Sequence, residues 1–162
     1  MAPRIEPMRA EQADAVAALV RAVIEPLDIY VPEARAVEIA RHDAAALRAM
    51  VADDPLSVLV AWDTADPPTP VGFVVGNRDD GLVWLAWFGV APGVRARGLG
   101  RALLAAFERS AAERGAHKVW CDCRTDNTAS RHLFATSGYR MLTELRNHWH
   151  GQDFYLWEKA LR

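Results

Sequence analysis

Between Leu82 and Val90 the chain reads LVWLAWFGV, a run without a single charge. Such a segment suits a strand buried on both faces. Residues from about 99 to 114 follow with an amphipathic helix pattern, Leu103, Phe107 and Ala111 on its inner face, and Gly115 ends it. His117 to Arg124 (HKVWCDCR) then reads as another strand. A strand, a crossover helix and a second strand favour a parallel pair of right-handed connection. That unit sets the centre of a sheet, and the rest of the chain must build outward from it. Gly89, near the end of the apolar run, marks a bulge or a close backbone approach.

The flanking segments supply more strands and helices. Residues 4–10 can form a short first strand, and Val16, Leu19, Val20, Val23 and Ile24 lie at helical spacing up to Pro26. The linker Leu27-Asp-Ile-Tyr-Val31 is apolar for a loop. Pro32 opens a second helix, with Val37, Ala40, Ala44, Leu47 and Val51 on one face, stopped by Asp53-Asp54-Pro55. Leu56–Asp63 and Pro70–Arg78 read as strands, the latter joined to the apolar run by the turn Asp79-Asp80-Gly81. Asp126 and Asn127 can cap a helix reaching about residue 136, with Gly138 closing it. Met141–Asn147 and Phe154–Lys159 form a last hairpin. The expected order is β-αα-βββ-α-β-α-ββ, an α/β chain with a mixed central sheet and helices on both faces. Its 162 residues suit one domain spanning 1–162.

Composition narrows the partners. The net charge of −2 gives no support to nucleic-acid binding, which usually shows a strongly basic domain. Only Lys118 and Lys159 among the 19 cationic residues are lysine, so arginine is this chain's default cation and a single arginine carries little information. Cys121 and Cys123 form a C-x-C pair that points one way on a strand; two thiols fall short of a closed zinc site, and no metal is expected. Reduced strand cysteines, the lack of a signal-peptide core and the lack of an apolar run of about 20 residues point to a cytoplasmic protein without a membrane partner.

Between the apolar strand and its helix lies A-P-G-V-R-A-R-G-L-G-R, residues 91–101. The first amides of a helix have no internal partner and the helix dipole adds positive charge there, so a glycine-bearing loop at that point can hold a phosphate. The other reading is a basic turn in solvent. No G-x-x-x-x-G-K-[ST] is present, nor a full G-x-G-x-x-G with its distant acid, so a P-loop and a dinucleotide site are unsupported.

The loop resembles the acetyl-CoA signature [Q/R]-x-x-G-x-[G/A] of the GCN5-related N-acetyltransferases (GNAT), with Arg95, Gly98 and Gly100 at its defined positions. Downstream, N-T-A-S-R-H-L-F-A-T-S-G-Y resembles that family's N-x-x-[A/S]-x-x-L-[Y/F]-x-x-x-G-[F/Y], matching at Asn127, Ser130, Leu133, Phe134, Gly138 and Tyr139. The order of elements agrees over nearly the whole chain.

The resemblance implies a GNAT acyl-CoA N-acyltransferase fold and an enzyme that moves an acetyl group directly from acetyl-CoA to a primary amine of a small molecule or peptide. It implies that the amides of the loop Arg95, Ala96, Arg97, Gly98, Leu99, Gly100 and Arg101 hold the pyrophosphate. Phe88, Gly89 and Val90 pair with the pantetheine arm where two parallel strands splay, and Asn127, Ser130 and Phe134 line it; for Asn127 a plain N-cap is the equal alternative. The Val90 amide would stabilise the thioester oxygen. Many relatives carry a tyrosine that protonates the thiolate where this chain has Phe134, which leaves the acid open, with Tyr139 as a candidate. The base is open among Asp122, His148, His150, His42 and Glu25. Tyr30, Trp87 and Trp149 are the candidate acceptor contacts. Dimers are common in the family, and the hairpin with Trp149 and Trp157 is the candidate surface for a homodimer. Two other functions stay in view: an acyl-CoA sensor that has lost its acid, and a toxin acetylating aminoacyl-tRNA, which the charge disfavours.

Overall fold

The apolar run does pair in parallel with the strand after its helix. The computed structural model describes residues 3–94 and 98–161. Among these, the strands are β1 (Arg4–Pro7), β2 (Val58–Trp62), β3 (Pro70–Asp79), β4 (Leu82–Val90), β5 (Lys118–Arg124), β6 (Arg140–Leu145) and β7 (Phe154–Ala160). The helices are α1 (Ala13–Ile24), α2 (Pro32–Arg41), α3 (Ala44–Asp53), α4 (Leu99–Glu113) and α5 (Thr128–Thr136). One mixed sheet runs in the order β1-β2-β3-β4-β5-β7-β6. β4 and β5 are parallel, and the other neighbours are antiparallel.

Alternation along the central strands divides the core. Val58, Val60 and Trp62 of β2, with Phe73 and Val75 of β3, pack against α1 and α3. Leu59, Ala61 and Val74 face the other way, toward Leu103, Leu104 and Phe107 of α4. α4 approaches β3 closely because two residues there lack side chains. A Cβ on Gly72 would lie 2.7 Å from Leu103 Cδ1, and one on Gly76 would lie 2.6 Å from Phe107 Cζ. Gly76→Ala is therefore expected to destabilise the protein by about 1–3 kcal/mol through overpacking, read as a lowered denaturation midpoint.

The second helical segment departs from expectation. It is two helices, because Asp43 is a better N-cap than a helix-interior residue: its carboxylate accepts the Ala46 N–H at 2.8 Å. The inward stripe of α2 also differs, being Ala34 and Glu38 rather than Val37 and Ala40. The apolar linker before α2 is explained by its packing: Leu27, Ile29, Tyr30 and Val31 join Phe154, Leu145, Trp149 and Trp87 in a separate cluster. Among the described residues, no helix is long and apolar enough to cross a membrane.

Candidate functional site

The sheet opens at its centre. β4 and β5 pair only over Leu82–Leu85 and Lys118–Cys121. At that point the register between β3 and β4 shifts: Gly76 faces Leu85 while Val75 faces Trp87, leaving Ala86 as an extra residue. Such a bulge bends its strand, and from Ala86 onward β4 leaves β5. A cleft of about 540 Å³ occupies the gap, lined by Ala86 to Val90 on one strand and by Asp122 and Cys123 on the other.

One half of the cleft lies toward α4 and α5. Phe88, Val90, Asn127, Ser130, Leu133 and Phe134 line it. The Ala91 N–H bonds to Val71 O at 2.9 Å. Alternation along an antiparallel ladder therefore turns the backbone groups of Phe88 and Val90 toward the gap. Phe134 is 1% exposed and packs on Phe88 (ring centroids 5.8 Å apart), Tyr139 (5.3 Å) and Trp157 (5.8 Å). Asn127 caps α5, its side-chain oxygen accepting the Ser130 N–H at 3.1 Å, and it also meets the Tyr30 hydroxyl. It thus takes the capping role and lines the cleft as well.

The amino end of α4 sits beside this half, where a Cβ on Gly100 would meet Leu133, Phe88 and Val90 at 3.6–4.0 Å. Gly98 is the N-cap, with φ +75° in the left-handed region, and it offers no side chain to bond the first-turn amides. Those amides can serve an anion. Arg95, Ala96 and Arg97 lie outside the described residues. The Arg101 side chain turns to α5: the guanidinium donates to Thr136 O (2.9 Å), Thr136 Oγ1 (2.8 Å) and Ser137 Oγ (3.3 Å). It ties α4 to the carboxyl end of α5, and its place in the first turn leaves its backbone, rather than its charge, for the loop.

The other half of the cleft is aromatic and acidic. Tyr30 lies 5.5 Å from Trp87 and 6.4 Å from both Trp149 and Phe154 between ring centroids, so the three candidate acceptor contacts come together. Asp122 points to this side, since Val119, Cys121 and Cys123 alternate toward α4. Burial raises its carboxyl from 3.8 to about 6; the nearby His148 opposes the shift and Glu38 reinforces it. His148 lines the cleft and is exposed to solvent.

Several candidates fall elsewhere. Tyr139 does not line the cleft; its hydroxyl is buried beside Glu108, and burial holds its proton far more tightly than usual. His42 is buried at the end of α2 with its ring Nδ1 2.8 Å from Glu38 O. Glu25 and His150 are exposed and line no part of the cleft. Burial lifts the Cys123 thiol to about 11 and raises Cys121 well above its ordinary value, so neither is an activated nucleophile. Trp157 is buried in the core and Trp149 packs on Tyr30, so both hairpin tryptophans are engaged within the chain. Glu38, Arg41, Asn77 and Trp84 also line the cleft, and no motif in the sequence points to them. A glutamate on the buried stripe of α2, four residues after Ala34, was the available signal.

The profile of the acetyltransferase (GNAT) family matches residues 23–139. The chain belongs to the GNAT acetyltransferase family. Its fold is also that of solved GNAT structures. A GCN5-related N-acetyltransferase from Rhodopseudomonas palustris is 27% identical, with a TM-score of 0.74 over 99% of this chain and 96% of that one. The PaiA N-acetyltransferase from Thermoplasma acidophilum, solved in complex with coenzyme A, is 18% identical, with a TM-score of 0.80 over 99% of each chain. The ribosomal-protein-S18-alanine N-acetyltransferase from Escherichia coli is 16% identical, with a TM-score of 0.73 over 98% of this chain and 94% of that one. Comparison with curated proteins gives no significant match.

For this GNAT acetyltransferase, Phe134 stands at the cleft wall where a tyrosine would carry a hydroxyl. Phe134→Tyr is expected to leave turnover undiminished, while a hydroxyl added among the rings of Phe88, Tyr139 and Trp157 costs up to about 2 kcal/mol of stability. Initial rates and a thermal melt on the same preparation check both parts.

Proposed function

We propose that residues 1–162 form one acetyl-CoA-dependent N-acetyltransferase domain, in which a primary amine attacks the thioester directly. The reading is carried by one arrangement: the cleft passes through the sheet with an anion-ready helix end on one side and an aromatic pocket on the other, and Asp122 stands in the gap. Gly98, Leu99, Gly100 and the Arg101 backbone would hold the pyrophosphate together with Arg95 to Arg97. Phe88, Gly89 and Val90 would carry the pantetheine arm against Asn127, Ser130 and Phe134. Free, buried Cys121 and Cys123 support a cytoplasmic setting.

Asp122 is the proposed base. A lysine-like amine has a pKa of about 10.4 and arrives protonated, so attack requires a group to take that proton. A carboxylate raised to about 6 is a better proton acceptor than an ordinary one and is still ionised at neutral pH. Exposed His148, close to Asp122, is proposed to pass the proton to solvent. The C–N bond forms as the carbonyl oxygen turns toward the Val90 amide, and the attacking nitrogen gives up its second proton by the same route; the C–S bond then breaks and the sulfur leaves as thiolate. An ordinary thiol has a pKa of about 8.5, so the leaving group needs little help from an acid, and Phe134 provides none. A carboxylate tuned for proton transfer favours catalysis over the sensor reading.

Thiol release from acetyl-CoA in the presence of a panel of primary amines tests this function. Release with at least one amine, together with its N-acetyl product by mass spectrometry, is expected. Tight acetyl-CoA binding without release across the panel would instead support the sensor.

A further inference from the structure

We infer that the acceptor is a small free amine with an apolar body, not a peptide, and that Gln152 is the positioning residue that makes it so; the inference rests on the acetyltransferase reading. Gln152 lies in the turn between β6 and β7, far in sequence from the α1–α2 linker it holds. Its side-chain amide donates to Ile29 O at 3.1 Å, and its side-chain oxygen accepts the Val31 N–H at 3.3 Å. The main chain is thus gripped on both sides of Tyr30. Arg124 Nε adds a second donor to Ile29 O at 3.0 Å. Beneath this clasp the rings of Tyr30, Trp149 and Phe154 meet. Tyr30 and Phe154 are 7% and 3% exposed and both line the acceptor half, so the clasp fixes its aromatic wall.

A peptide laid between two loops is held by main-chain hydrogen bonds to a row of free backbone groups. Here several of those groups are already engaged within the chain. Ile29 O and Val31 N are taken by Gln152 and Arg124, and Tyr30 N bonds to Leu27 O at 3.2 Å. In the turn between β6 and β7, Asn147 N bonds to Asp153 Oδ1 at 2.7 Å, His148 N to Gln152 O at 2.9 Å and Gln152 N to Trp149 O at 3.1 Å. Glu38, Arg41, Asn77 and Trp84 also line the cleft with Asp122. Glu38 is 4% exposed and bonds to Arg41 Nη1 at 2.9 Å. With Glu38 paired to Arg41, the Asp122 carboxylate is the group that attracts an ammonium, and Trp84, Trp87 and Leu27 suit an apolar or aromatic body. The cleft of about 540 Å³ must also admit the thioester end of the donor, which leaves room for a small molecule.

The test uses the wild-type chain and Gln152→Ala with 2-phenylethylamine, n-hexylamine and two pentapeptides, one with a free N-terminus and one with a free lysine. Wild type is expected to release thiol with at least one small amine and with neither peptide. Gln152→Ala is expected to raise the KM for that amine by at least about tenfold, with acetyl-CoA affinity changed less than about twofold and Gln152→Glu intermediate. A purely structural role would lower stability without splitting the two affinities. Peptide turnover by wild type at a matching kcat/KM overturns the inference and leaves the acetyltransferase reading standing. No thiol release with any of the four overturns both. Should Gln152→Ala fail to fold, the wild-type comparison of amines with peptides decides alone.

Discussion

Asp122→Asn is expected to lower kcat/KM by about 10²–10⁴-fold, the usual worth of a general base, while acetyl-CoA binds as before. Asparagine keeps the shape and removes the proton acceptor. In the wild type the base works unprotonated, so kcat/KM should rise with pH through about 6 and then level on that limb. The variant should lose this limb. Its stability should move the other way. Burial raises the folded-state pKa above the unfolded value, so the folded protein favours the protonated acid. The stability this contributes is complete below the unfolded pKa and is lost as pH rises through about 6. At pH 8 the wild type therefore holds a half-buried charge that the asparagine variant lacks. The variant should be more stable there, by at most about 3 kcal/mol, and by no more than a fraction of that below pH 4. Melting curves at pH 4 and pH 8 read the difference. An unchanged rate with an unchanged pH limb would remove Asp122 from the chemistry.

Gly98→Glu is expected to weaken acetyl-CoA binding by at least about 100-fold, or roughly 2.7 kcal/mol. Two causes add. With φ at +75°, any side chain here carries a left-handed backbone at about 1–2 kcal/mol, so the loop is strained or rebuilt. The new carboxylate then stands at the helix end where phosphates would bind and takes up the same amides. Space is not the cause, because a Cβ at Gly98 meets nothing within 4 Å. Gly98→Ala, which shares the strain without the charge, should lie between wild type and Gly98→Glu. Gly93→Ala is the control: its Cβ also meets open space and its φ is not left-handed, so affinity should hold. Equal affinity in all four proteins, measured by calorimetry, would remove the helix end from the binding site.

What could be read in the sequence followed local chemistry. Gly98 before a helix pattern, Asn127 as a cap and the apolar β4 all act through their own neighbours in the chain, and each stands where expected. Tyr30, Trp87 and Trp149 were named singly and are brought into one cluster by three separate elements. The rest depended on long-range contacts. The gap between β4 and β5 arises from a bulge that shows only when β3 is paired with β4. The inward turn of Glu38 depends on which face of α2 meets the cleft, and weak apolar spacing in that helix pointed to Val37 and Ala40 instead. Arg101 sits in a motif that suggests a phosphate, yet its side chain reaches α5, 35 residues away in sequence. Asp43 carries a local signal, an aspartate before three alanines, but helical spacing that continues beyond it masks the break.

The central claim is that donor and acceptor meet through the opening of the sheet between β4 and β5. A crystal structure of this protein with coenzyme A tests it most directly. The account predicts the pyrophosphate on the amides of Gly98 to Arg101, the pantetheine arm along Phe88 to Val90, and the sulfur in the gap facing Asp122. Coenzyme A bound away from the end of α4, or with its sulfur outside the gap between β4 and β5, would contradict it.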